Sequence, residues 1–262
     1  MPAELCLIRG GGDLATGVAW CLSHADYPVI VAELPAPLAV RRTVALSSAI
    51  DFGEITVEGM LGRRVDSWEA ATKVAHNGDV AVIVAPEPDF SRISVAIDAR
   101  VAKRNIDTSI DDAELVIALG PGFSAGHDCH AVIETMRGPR LGHTVWKGSA
   151  TANTGTPAEL GGRSTERVLR ALSDGTISWL RSIGDRVSAG ELLGRVGNEE
   201  ILCPFDGRVR GMIRDGHHTH IGQKIGDIDP RVDAHCDKIS DKSLAVGDGV
   251  LEAVRTWQSR SR

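Results

Sequence analysis

The chain has 262 residues, 42% of them hydrophobic and 24% charged, with a formal net charge of −6. That length holds one large domain or two modest ones, and the acidic balance argues against nucleic-acid binding as the main business. No run approaches the ~20 apolar residues of a membrane span, and five irregularly spaced cysteines without a Cys-x-x-Cys pair read as reduced thiols. The expectation is a soluble cytoplasmic protein with neither nucleic acid nor membrane as partner, self-association being left open.

Residues 5–8 are a short apolar run of the kind a buried parallel strand shows. Leu14, Val18 and Leu22 then recur every four residues, with Ala15 and Ala19 beside them, which predicts a helix. "VIVAEL" after Pro28, "DVAVIVAP" (79–86) and "ELVIALG" (114–120) read as further buried strands. Residues 66–76 and 91–104 read as helices. Strands alternating with helices predict an α/β fold with a Rossmann-like parallel sheet.

Within that frame, Gly10, Gly12 and Ala15 match G-x-G-x-x-G/A between a strand and a helix. Such a turn brings backbone and helix N-terminus close to a phosphate. Glu33, at the end of the second strand, stands near the spacing of an acid that holds a ribose hydroxyl. The pattern points to nucleotide-type binding, such as an NAD(P)-like dinucleotide. Asp13 suits a helix cap but repels a phosphate. A tight turn capped by Asp13 and Thr16 is the competing reading. Arg41 and Arg42 are candidate phosphate contacts, or a solvated helix face.

"GPGFSAGHDCH" (120–130) is a loop by composition, where a parallel sheet presents ligands. His127, Asp128, Cys129 and His130 resemble metal ligands. Continued into the strand-like "AVIETM", however, they place two on a side at most, so no metal is expected. "WKGSATANTGTPAELGG" (146–162) suits a linker or an anion-holding loop.

From Asp174 the sequence repeats at a 32-residue offset: residues 174–196 align with 206–228 without gaps. Asp174 and Gly175 match Asp206 and Gly207, and Gly184, Gly190 and Gly194 match Gly216, Gly222 and Gly226. Two copies predict a pseudo-symmetric β unit. Its register resembles biotinyl/lipoyl-type barrel-sandwich domains. The turn between its halves, "GNEEILCPF", lacks the acceptor lysine, which argues against a swinging arm. His217, His218 and His220 overlay Asp185, Arg186 and Ser188 and read as a surface turn.

The tail predicts a helix capped at Ser240, interrupted by Gly247-Asp248-Gly249 and resuming at Val250, Leu251 and Val254. Cys236 precedes it, and a helix N-terminus with His235 would lower its thiol pKa. A buried, inert cysteine is the preferred reading, since Cys236 stands outside the first turn of that helix.

"GGDLATGVA", "ELPAPLAVRRTVALSSAI", "ALGPGFSAGHDCHAVIETMRG", "KGSATANTGTP" and "GDIDPR" together resemble selenium-dependent molybdenum hydroxylase system proteins. The glycine turn is similar to that of xanthine dehydrogenase accessory proteins. The resemblance implies a maturation or cofactor-handling role for a molybdenum hydroxylase client, with a nucleotide or molybdopterin dinucleotide bound at the glycine turn. The implied site is Gly10, Gly12, Asp13, Thr16 and Gly17, with Glu33, Arg41, Arg42, Pro121 and Gly122 around it. Two alternatives stay open, an NAD(P)-dependent oxidoreductase with His127 or His130 as proton donor and a scaffold with a degenerate nucleotide fold. The expected organisation is a Rossmann-like domain (1–140), a linker (141–165), a barrel-sandwich β repeat (166–232) and a helical tail (233–262).

Overall fold

Strands with both faces buried alternate their side chains between two apolar layers, and this organises the first half of the protein. A computed structural model describes residues 4–155, 159–231 and 233–260. Residues 156–158 of the expected linker, Val232 at the end of the expected repeat and the last two residues of the tail lie outside the described residues. Two compact units emerge. One comprises Met1–Pro37, Ala45–Thr154 and Ile239–Arg262, and the other Leu38–Val44 and Gly155–Lys238.

In the first unit the elements are β1 (Cys6–Arg9), α1 (Asp13–Ser23), β2 (Val29–Glu33), α2 (Ala49–Phe52), β3 (Glu54–Val57) and β4 (Met60–Val65). Then come α3 (Trp68–His76), β5 (Val80–Val84), β6 (Val95–Asp98), β7 (Leu115–Leu119), β8 (Ala131–Ile133) and β9 (Thr144–Val145). One nine-stranded sheet runs β3-β4-β5-β2-β1-β6-β7-β8-β9. β4 through β8 are mutually parallel, while β3 and β9 pair antiparallel at the two edges.

Cys6 and Ile8 point into the layer that holds Val18, Leu22, Val250 and Val254. Leu7 points the other way, toward Ala71 and Ala75 of α3. The C-terminal helix α4 (Asp241–Arg260) lies along α1 in the same direction, because Ser243 meets Asp13 and Gln258 meets Tyr27. It is continuous through Gly247 and Gly249, against the predicted interruption. Their missing side chains make room for the backbones of Gly17 and Gly142.

The second unit contains β10 (Val168–Arg170), β11 (Gly175–Trp179), β12 (Arg186–Val187), β13 (Leu192–Val196), β14 (Glu199–Leu202), β15 (Gly207–Met212), β16 (His218–Thr219) and β17 (Lys224–Asp229). They form two four-stranded sheets, β10-β17-β15-β12 and β14-β13-β11-β16. The 32-residue offset carries β11, β12 and β13 onto β15, β16 and β17. Each copy lends its short middle strand to the other's sheet, β12 pairing with β15 and β16 with β11. Ile177, Leu193 and Val196 meet their counterparts Val209, Ile225 and Ile228 in one core.

These observations correct the expected architecture of a Rossmann-like parallel sheet plus a barrel-sandwich β domain. The α/β sheet is mixed, and residues 91–104 supply β6 rather than a helix. All four residues of β6 are buried between β1 and β7, where a short apolar run carries no helical period to separate it from a helix. The second half forms two antiparallel sheets. Residues 217–220, expected as a turn, include the paired strand β16.

Candidate functional site

β1 lies at the point where the chain changes direction across the sheet, with β2 on one side and β6 on the other. Parallel strands leave a crevice outside their carboxyl ends at such a switch. The glycine turn follows β1 there. Gly10 has φ +90°, and a Cβ on it would sit 3.3 Å from the Arg100 backbone. At Gly11 a Cβ would lie 2.8 Å from the Ser47 amide nitrogen, an amide that donates to the Gly11 carbonyl (2.9 Å). Gly10 is therefore demanded by its left-handed backbone conformation and Gly11 by packing.

Gly12 differs. Its φ and ψ of −75° and −169° suit any residue, nothing lies within 4 Å of the missing Cβ, and no side chain caps α1.

The remaining expected residues divide by what they touch. Asp13 accepts a hydrogen bond from the Ser243 hydroxyl (3.0 Å). Thr16, fully buried, donates to the Gly12 carbonyl (2.9 Å) and accepts from the Leu46 amide (3.0 Å). Gly17 faces the Ser243 carbonyl. Glu33 turns back onto the loop, accepting from the Gly11 and Leu34 amides at 2.7 Å each. Pro121 and Gly122 follow β7, and Gly122 packs against the Arg104 backbone while its carbonyl accepts from the Asn105 amide (3.0 Å). Arg41 and Arg42 belong to the second unit, where they donate to the carbonyls of Lys238 and Met212.

Sequence reasoning missed a network at the ends of β1 and β6. Arg9 and Asp98 are 5% and 2% exposed. Arg9 pairs with Asp107 (2.8 Å), and Arg100 pairs with Asp98 (2.6 Å) and Asp107 (2.7 Å). Thr108 donates to Asp98 (2.6 Å). Hydrogen bonding from Arg9 leads the causes that hold the Asp107 carboxyl low. A charged residue closing each apolar strand ("CLIR", "VAID") was the available signal.

A second overlooked residue is Lys242, in the first turn of α4. Burial, then the neighbouring Arg137, push its ammonium pKa down, while Asp13 and Glu134 pull it up. Among the described residues no hydrogen bond or ion pair engages it. Glu134 itself is 2% exposed and accepts from the Thr151 amide (2.8 Å), the Thr151 hydroxyl (2.6 Å) and the Met136 amide (2.7 Å). Burial raises its pKa, but these bonds outweigh burial and leave it lowered.

In the 120–130 loop, His127 contacts Asp128 (3.0 Å) and the His130 Nδ1 accepts from the Val116 amide (3.0 Å). Among the described residues no group of three or more His, Cys, Asp or Glu side chains is placed to hold a metal ion. All five cysteines are buried and unpaired. Burial raises the Cys236 thiol pKa even with Arg208, Arg41 and Arg210 nearby, in line with the buried, inert reading and against activation, and α4 begins only at Asp241. No described helix is long and apolar enough to cross a membrane.

No family model matches the chain. It is 44% identical over 255 residues to the uncharacterized protein YqeB of Escherichia coli K12. That match takes in 96% of this chain and 47% of the relative, so the chain spans about half the relative's length. Solved structures similar to it include a succinylglutamate desuccinylase/aspartoacylase from Rhodobacter sphaeroides (TM-score 0.27, 13% identity, 86% of this chain and 85% of that one). Another is an aspartoacylase family protein from Mesorhizobium loti (TM-score 0.26, 10% identity, 87% and 85%). No family model places the chain among molybdenum hydroxylase accessory proteins and its sequence relative is uncharacterized, so the expected membership of that family is not upheld. The maturation role and the selenium dependence it implied go with it. The oxidoreductase and degenerate-scaffold alternatives find no support either. At these scores the likeness transfers no activity to this chain.

Proposed function

We propose that the first unit binds a small metabolite carrying a phosphate or carboxylate group, seated over Gly12 at the carboxyl ends of β1 and β6. The observation that carries this reading is the open space at Gly12, the one glycine of the turn that backbone geometry and packing leave unexplained. Gly10 and Thr16 shape the seat. Lys242 supplies a half-buried cation near Asp13, offsetting the charge that would repel an anion. Each Glu33 oxygen holds one amide and keeps lone-pair capacity for a ligand hydroxyl.

The test is calorimetric titration with a panel of sugar phosphates and dicarboxylates, on wild type and on Gly12→Thr. Threonine caps a helix about as well as glycine, so the fold survives while the seat is filled. The expected result is a binder in the panel whose affinity Gly12→Thr abolishes. Lys242→Met should weaken that binder roughly tenfold or more, as loss of a charged hydrogen bond does. An affinity unchanged in Gly12→Thr would overturn the reading.

A further inference from the structure

Across β12 and β15 of the second unit, Arg186 stands directly opposite Arg208. Their neighbours Val187 and Val209 enter the core, so both guanidinium groups project from the sheet's outer face. Like charges directly opposed across strands destabilise a sheet. Among the described residues neither arginine has a hydrogen-bonding or ion-pairing partner for its side chain, and the Arg208 Nε is buried. Arg210 lies two residues along the same face, its side chain 13% exposed. Arg41, 8% exposed, is close enough that it, Arg208 and Arg210 all act on the Cys236 thiol. The Asp229 carboxylate is shared between Arg210 (3.6 Å) and Arg231 (2.8 Å). The Arg186–Arg208 pair therefore leaves uncompensated positive charge on this face, partly desolvated at the Arg208 Nε.

The internal repeat provides a control. The positions equivalent to Arg186, Arg208 and Arg210 in the other copy are His218, Thr176 and Ser178, and they build the same strands. The architecture does not require the arginines.

We propose that Arg186, Arg208, Arg210 and Arg41 form an anion site for the phosphate group of a small phosphorylated molecule. A carboxylate is served by a single guanidinium fork, whereas a phosphate dianion offers acceptors to several. This site is separate in its residues from the seat over Gly12 and stands without it.

The experiment is thermal unfolding of the full chain with inorganic phosphate, pyrophosphate, acetate or chloride at constant ionic strength. Wild type, Arg208→Thr, Arg186→His and Gly12→Thr are compared, the two arginine variants taking the residue of the sister copy. Phosphate and pyrophosphate should raise the melting temperature of wild type and of Gly12→Thr, with acetate and chloride inert. The shift should vanish in Arg208→Thr and Arg186→His, with phosphate affinity down roughly tenfold or more by calorimetry. Without phosphate, Arg208→Thr should melt at or above wild type, because the like-charge pair is gone. A shift equal in chloride or acetate, retained in Arg208→Thr, or lost in Gly12→Thr would overturn the proposal. So would a phosphate-free melting temperature of Arg208→Thr well below wild type.

Discussion

Gly17 lies where α1 runs beside α4, and the Gly17→Ala variant measures how tightly that contact is built. A methyl there would be driven into the carbonyl of Ser243, and in reverse a methyl on Gly247 would meet the Gly17 carbonyl. The obstacles are backbone atoms, which cannot rotate away. Restoring ordinary contact distances moves the helices apart by roughly an ångström. Val246, Val250, Ala253 and Val254 then lose part of their packing. Overpacking of this kind costs about 1–3 kcal/mol. The upper end applies, and the better helix propensity of alanine returns about 1 kcal/mol. The net loss is therefore ~2 kcal/mol, or a melting temperature lower by about 4–8 °C for a unit of this size. Circular dichroism melts of wild type, Gly17→Ala and Gly12→Thr provide the assay. Gly12→Thr should stay within about 1 °C of wild type, since its side chain enters open space and still caps α1. A Gly17→Ala protein that melts with wild type would refute the argument from backbone contact.

Other outcomes follow from single residues. Glu134 has a lowered pKa, so its stabilisation is complete above the unfolded value of about 4.3 and is lost as pH falls below it through the native value. Glu134→Gln should flatten that acid limb in pH-dependent denaturation, and an unchanged limb would count against the hydrogen-bond account. Asp98→Asn should destabilise by ~3 kcal/mol, because it leaves Arg100 without its buried partner. Urea titration reads this directly, and a loss below ~1 kcal/mol would contradict it. Burial raises the thiols of Cys6, Cys21, Cys129, Cys203 and Cys236, with Cys21 and Cys129 pushed up to about 12. Native protein should therefore resist iodoacetamide at neutral pH until it unfolds, and rapid labelling of any one cysteine would show that burial does not control it.

Local patterns were enough to place α1, α3, β1, β2, β5 and β7, because a period of 3.6 or a bounded apolar run is written in neighbouring residues. The repeat was legible for the same reason, since glycines at fixed offsets survive alignment of the chain with itself. β6 was not, because "VAID" is apolar on both faces and only its place between β1 and β7 makes it a strand. Tertiary contact also keeps α4 helical through Gly247 and Gly249, where a close neighbour rewards glycines that weaken an isolated helix. At the candidate site the sequence marked Gly10, Gly12 and Glu33. It could not tell a glycine held by packing from one left open, nor bring Lys242 to Asp13, 229 positions away. Those distinctions depend on atoms distant in the chain, and the tertiary structure alone supplies them.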